Sequence, residues 1–223
     1  MIRWIRPSDP PDAFPPVTQA LTDPDGLLCA GGDLSPERIL AAYRRGIFPW
    51  FGAGQPILWW SPDPRMVLFP GELKVSRSLA KSLRNRGYEV TFDTHFDDVI
   101  ARCADSGTRG VEGTWISPEM HRAYVALHQR GYAHSVEVWL EGRLVGGLYG
   151  LKLGRVFFGE SMFSAATDAS KVALCHLVQT SLERDALDLV DCQVANPHLF
   201  TLGARLVPRA EFISRLTAFI PPG

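Results

Sequence analysis

Two short β-rich stretches carry acid and amide groups where a plain core strand would continue with Val or Ile. Arg155-Val-Phe-Phe-Gly-Glu-Ser-Met-Phe-Ser164 holds Glu160, and Leu189-Val-Asp-Cys-Gln-Val194 holds Asp191 and Gln193. A carboxylate among apolar side chains is costly unless it is paired or faces a wet cleft, so both stretches are candidates to line a site. Two edge strands with their polar sides in solvent would give the same pattern. Alternation places Phe158, Glu160 and Met162 on one face and Phe157, Ser161 and Phe163 on the other, with Gly159 positioned to kink the strand. In the second stretch Asp191 and Gln193 share a face, opposite Val190, Cys192 and Val194. Together they would supply one charged and one uncharged hydrogen-bond acceptor.

Two further groupings suit a nucleic-acid ligand. Gly46-Ile-Phe-Pro-Trp-Phe51 and Ile57-Leu-Trp-Trp-Ser-Pro-Asp-Pro-Arg65 set aromatic rings among prolines, which describes a compact core and also a platform for an unpaired base. Trp115 stands just before an expected helix start, where it could face a ligand or act as a hydrophobic staple. Residues 73–88 hold no acid, and Lys74, Arg77, Lys81 and Arg84 recur as one stripe of a helix opposite Val75, Leu79 and Leu83. A solvated face usually mixes signs, so this stripe reads as a phosphate contact. Cys29, Cys103, Cys175 and Cys192 lie far apart among apolar neighbours, and no His-Glu-x-x-His run occurs. The reading is reduced core thiols and no metal.

The elements that must carry these residues follow in order. The first 35 residues, rich in proline and turn formers, are expected to be mostly irregular and pinned by Trp4, Phe14 and Leu21. Ser35 caps a helix with Pro36 in its first turn, Ile39, Leu40 and Tyr43 inward and Gly46 at its end. The Ser61-Pro-Asp-Pro64 turn divides a small N-terminal domain, 1–63, from the main one, 64–223. In the main domain Tyr88–Asp93 is a strand, Phe96–Ala104 a helix and 106–113 a loop. A helix from Ser117 to Gly131 turns Ala123, Tyr124 and Leu127 inward. An antiparallel meander covers 134–140, 144–150 and 155–164, with Gly146 and Gly147 marking a bulge or the close approach of another chain's backbone. Helix 168–184, strand 189–194 and a helix over 209–218 complete the chain.

Chain length permits a substantial core, and a formal net charge of −1 leaves any nucleic-acid contact to a local patch. No apolar run approaches the roughly 20 residues of a membrane span, so a cytoplasmic protein is expected. The class is α+β, an antiparallel-rich sheet flanked by helices after a small N-terminal α/β domain. The element order resembles the GNAT acyltransferase fold. In that class a Gly-rich loop holds coenzyme A; the corresponding Ser164-Ala-Ala-Thr-Asp-Ala-Ser170 has no glycine, so acetyl-coenzyme A is a poor candidate and no cofactor is expected.

Several blocks together carry a more specific resemblance. Gly46–Phe51, Trp59–Arg65, Gly113–Ile116, His134–Trp139, Val145–Gly150, Phe158–Ser164 and Asp191–Gln193 are similar, in order and over nearly the whole chain, to the signature blocks of bacterial leucyl/phenylalanyl-tRNA-protein transferases. The resemblance implies a donor, Leu- or Phe-tRNA and less so Met-tRNA, and an acceptor, a protein with N-terminal Arg or Lys that is thereby marked for degradation. It implies that Trp50 and Trp115 flank the terminal adenosine and that Leu148, Met162, Leu174, Leu177 and Val190 form the aminoacyl pocket. Leu148 and Leu177 stand where the best-known members carry Met or Phe at some of these positions. Asp191 and Gln193 match the catalytic pair, and Glu160 a polar residue beside the acceptor peptide. On this reading Asp191 orients the amine and stabilises its growing positive charge, Gln193 adds direction, and Glu160 pairs with the acceptor's basic side chain. Competing expectations are an acetyltransferase, a non-catalytic tRNA-binding module, and an aminoacyl-tRNA-dependent ligase acting on cell-wall precursors.

Overall fold

The computed structural model describes residues 2–107, 116–184 and 186–221. Trp115 and most of the loop expected at 106–113 lie outside the described residues. Strand β1 (Arg3–Ile5), β2 (Leu27–Gly31), helix α1 (Pro36–Arg44), β3 (Phe48–Pro49) and β4 (Leu58–Trp60) come first. Their strands form a four-stranded sheet in the order β1-β2-β4-β3, with β1 parallel to β2. The start is therefore less irregular than its prolines suggest, because a three-residue strand shows no period and takes its partner from far along the chain. Alternation in β1 buries Ile5 and leaves Trp4, the expected anchor, 62% exposed. The proline-rich segment after it is held by buried Arg38, which donates to the carbonyls of Asp9 (2.8 Å) and Pro10 (3.1 Å). Arg38 is placed by α1, where the Ser35 hydroxyl accepts from its backbone N–H and Pro36 opens the first turn.

The rest supplies β5 (Arg65–Leu68), α2 (Arg77–Asn85), β6 (Glu89–Phe92), α3 (Phe96–Gly107), α4 (Pro118–Gln129), β7 (Ala133–Leu140), β8 (Arg143–Leu153) and β9 (Val156–Ser164). After these come α5 (Ala169–Glu183), β10 (Leu189–Gln193), α6 (Pro197–Thr201), β11 (Arg205–Val207) and α7 (Arg209–Phe219). Seven strands form one sheet in the order β11-β5-β10-β9-β8-β7-β6. The expected meander is β7 to β9, β6 adds a further antiparallel strand beside β7, and α5 then returns the chain so that β10 lies parallel to β9. This is the GNAT-like α+β layout, with α5 on one face of the sheet and α3 and α4 on the other. β5 and β11, which the sequence pattern does not announce, extend the sheet beyond β10.

Gly146 lies beside a bulge, and the close approach there comes from α5 of the same chain rather than from another chain's backbone. The β7–β8 register shifts just beside it, and a Cβ there would collide with that of Ala169, so only glycine lets the first turn of α5 touch β8. Trp59 and Tyr43 of the N-terminal unit share one apolar core with Phe158, Leu189 and Phe212, so packing continues across the Ser61–Pro64 turn. The basic stripe is shorter than the spacing implied. Ser76 caps α2 at Arg77, which leaves Lys74 in the preceding turn with its N–H donating to the Leu202 carbonyl. Leu79 is buried and Leu83 partly so, but Val75 is exposed rather than inward.

Candidate active site

β9 and β10 run side by side only from Val156 opposite Leu189 to Phe158 opposite Asp191. Beyond that level both strands lose register. On β9, Tyr149 faces Ser161 and Gly150 faces Gly159, which makes Glu160 the extra residue of a bulge. On β10 the shift falls between Asp191 and Gln193, and Gln193 takes a left-handed backbone with φ 64°. A cavity of about 470 Å³ occupies this region, lined by residues of both strands.

The bulge overturns the expected face assignment on β9. Simple alternation would put Phe158 and Met162 together; instead Phe158 and Phe163 join the core that holds Tyr43 and Tyr149, while Phe157 and Met162 lie with Leu148 and Leu174. A single extra residue reverses which side each later side chain takes. Four of the five residues expected in the aminoacyl pocket, Leu148, Met162, Leu174 and Val190, line the cavity. Leu177 does not. One turn further along α5, it sits in the core with Val178 and Leu187, because α5 is apolar over most of its surface and turns that side into the protein. Phe48, Pro49, Phe157, Cys192 and Leu199 also line the cavity, and sequence reasoning missed them.

Asp191 is fully buried beneath this apolar wall. Its Oδ1 accepts from Arg65 Nε (2.8 Å) and the Gln193 backbone N–H (2.9 Å), and its Oδ2 from Arg65 Nη2 (2.6 Å). The guanidinium lies over the rings of Phe48 and Phe212, 4.7 Å from each centroid, and also donates to the Gly46 carbonyl. Arg65 was visible only as the end of the Trp59–Arg65 block, since its strand is four residues long.

Glu160 is the second buried acid. Oε1 accepts from Tyr43 Oη (2.6 Å) and Gln193 Nε2 (3.0 Å), and Oε2 lies 2.8 Å from Tyr124 Oη. Burial pushes its carboxyl up to about 7 against the pull of the two hydroxyls, and nearby Asp191 adds to the rise. Burial, reinforced by Glu160, holds the phenols of Tyr43 and Tyr124 well above their ordinary value. Both tyrosines read from the sequence only as inward helix residues; the signal was a hydroxyl at a core position, which needs a partner. The lone pairs that a direct ion pair at Oε1 would use are thus taken by neighbours within the chain. Gln193 is held twice, its backbone by Asp191 and its side-chain amide by Glu160, which leaves its Oε1 as the end of the amide with no partner among the described residues.

The family model for leucyl/phenylalanyl-tRNA protein transferase matches residues 67–217, and that for the N-terminal domain of the same transferase matches 32–63. A leucyl/phenylalanyl-tRNA–protein transferase of Aromatoleum aromaticum is 59% identical over 223 residues, all of this chain and 92% of that one. The chain belongs to this family. A second member, from Chromohalobacter salexigens, is 61% identical over 208 residues, 93% of this chain and 80% of its own. A solved structure named FemX aligns with a TM-score of 0.50 at 11% identity over 77% of this chain and 66% of its own, a likeness of fold alone.

In this transferase Trp50 stands at the cavity, 44% exposed, while Trp59 is wholly buried and donates its indole N–H to the Gly31 carbonyl. The aromatic stretch is thus part core and part surface. Trp60 donates to the Trp50 carbonyl at 2.6 Å and packs against its ring at 5.6 Å, which fixes the exposed indole. Lys74, Arg77, Lys81 and Arg84 are exposed, outside the cavity, and in no ion pair among the described residues. No described cluster of His, Cys, Asp or Glu is placed to hold a metal, and no described helix is long and apolar enough to cross a membrane.

Proposed function

We propose that this enzyme transfers Leu or Phe, and less readily Met, from aminoacyl-tRNA to the N-terminal Arg or Lys of an acceptor protein, marking it for degradation. The observation that carries this reading is the meeting, in one cavity, of an apolar wall from Leu148, Met162, Leu174 and Val190 with the polar group of Glu160, Asp191 and Gln193. The wall suits the aminoacyl side chain, and the polar group suits an amine approaching the ester carbon. The donor is already activated, so positioning supplies much of the rate.

In the reaction the neutral amine attacks the ester carbonyl, a C–N bond forms, the C–O bond to the ribose breaks, and a proton from nitrogen ends on the leaving ribose oxygen. A free α-amine has a pKa of roughly 7.7–8.0, so part of it is neutral near pH 7. Gln193 Oε1 accepts one N–H of this amine and stabilises the charge that builds on nitrogen. Asp191, held by Arg65, acts through Gln193 by fixing its backbone, and Glu160 fixes the opposite end of its amide. This moves Glu160 from counter-ion of the acceptor to support for Gln193. Trp50, with Trp115, stacks on the terminal adenosine, and Lys74, Arg77, Lys81 and Arg84 contact tRNA phosphates. Incubation with labelled Leu-tRNA or Phe-tRNA and a peptide beginning with Arg should yield labelled peptide, and one beginning with Glu should not. Equal labelling of both would refute the acceptor rule, and labelling of neither the reaction.

A further inference from the structure

Tyr43, Tyr124 and Glu160 form a closed triangle of oxygens. Besides their bonds to Glu160, the two phenol oxygens lie 2.7 Å from each other. Three such contacts need three protons, and two phenols supply two. Were Glu160 ionised and accepting from both, the phenol–phenol contact would hold no proton and would press lone pairs together in a buried space. Were one phenol to donate to the other, one of the two approaches to the carboxylate would hold no proton instead. The missing proton belongs on the acid. Oε1 already accepts from Gln193, so the proton sits on Oε2 and the ring runs head to tail: Oε2–H to Tyr124, Tyr124 to Tyr43, Tyr43 to Oε1.

The surrounding charges lead to the same state. The titratable and charged groups facing Glu160 are Tyr43 from α1, Tyr124 from α4, Tyr149 from β8, Asp191 from β10 and Arg65 from β5. Arg65 is the one cation in that set, and it is bound at both ends of its fork to Asp191. Among the described residues no further cation is left to balance a second buried negative charge.

We propose that Glu160 stands in the site as a neutral carboxylic acid whose proton closes this ring, with Tyr43 and Tyr124 as positioning residues that keep the Gln193 carbonyl turned to the amine. This deepens the transferase reading and rests on it for its consequence. A carboxylate beside the reacting nitrogen would favour ammonium, which cannot attack; a neutral acid leaves the amine unprotonated. With Asp191 matched by Arg65 and Glu160 by its own proton, the site has no net charge to trap the nucleophile.

Infrared spectroscopy of the full chain without substrate reads the proton directly. A protonated-carboxyl band should be present at about pH 6, lost by about pH 9, absent from Glu160→Gln and shifted in Tyr124→Phe, where the acid loses its acceptor. The Glu160→Gln comparison separates this band from that of any other buried acid, such as Glu137. With substrates, the pH profile of kcat/KM should lose one ionisation in Glu160→Gln, whatever its absolute rate. A band missing from the wild-type protein at the lower pH, or unchanged by Glu160→Gln, overturns the proposal even if transfer is demonstrated. A correct band with no transfer of either amino acid would refute the transferase reading alone.

Discussion

Replacing Asp191 by Leu tests the central ion pair. Both partners are buried, with side chains 0% and 1% exposed, so the substitution strands a guanidinium between Phe48 and Phe212 with no counter-charge. Breaking a buried pair from one side costs about 3–5 kcal/mol, and the Gln193 N–H, left without its acceptor, adds about 1–3 kcal/mol where water cannot reach it. Urea unfolding with an unchanged slope near 2 kcal/mol per molar would then show a midpoint about 2–4 M lower. Arg65→Met alone should cost a similar amount, because it strands the carboxylate. The double variant, Arg65→Met with Asp191→Leu, should recover most of the loss, since a well-packed apolar pair often replaces a buried ion pair at little cost. Turnover should stay low in all three, because none keeps the anchor that fixes Gln193. Recovery of turnover along with stability in the double variant would mean that Asp191 serves the fold and not the reaction. Wild-type stability in the single variants would show that the pair is not what holds β5 to β10.

Two further outcomes follow from other features. Glu160 binds its proton more tightly folded, near 7 against an ordinary 4.5, so its contribution is complete below the ordinary value and is lost as pH climbs through the folded one. The stability of the wild-type protein relative to Glu160→Gln should therefore fall by about 3 kcal/mol between about pH 4.5 and pH 8, measured by denaturant titration; a rise over that window would mean the acid is ionised when folded. For α2, neutralising Arg77, Lys81 and Arg84 should flatten the dependence of log tRNA affinity on log salt by about 0.7–0.9 for each phosphate that loses its cation, and an unchanged slope would return this face to plain solvent.

The long elements were legible because their periods were. The meander, α4 with Ser117 at its cap and α5 with its apolar surface all lie within a few residues of where alternation, caps and spacing put them. What could not be read was pairing. β1, β5 and β11 are three or four residues long, and each exists only through a partner distant in sequence. The site shows the same division. Glu160, Asp191 and Gln193 stood out because polar groups interrupted β-rich runs, but Arg65, Tyr43 and Tyr124, which determine what those groups can do, looked like ordinary members of a turn and two helices. The bulge at Glu160 was equally hidden, since Gly159 marked a bend without saying which neighbour would be the extra residue.

Tyr43 and Phe48 come from the first sixty residues, yet one completes the hydrogen bonding of Glu160 and the other roofs the guanidinium of Arg65. The N-terminal unit is thus a structural part of the cavity and its buried polar groups rather than an accessory mounted on it. A chain trimmed to the larger sheet would keep Asp191 and Gln193 but open both buried acids to water, and grafting the front of a distant relative onto this body would demand that both halves be refitted together.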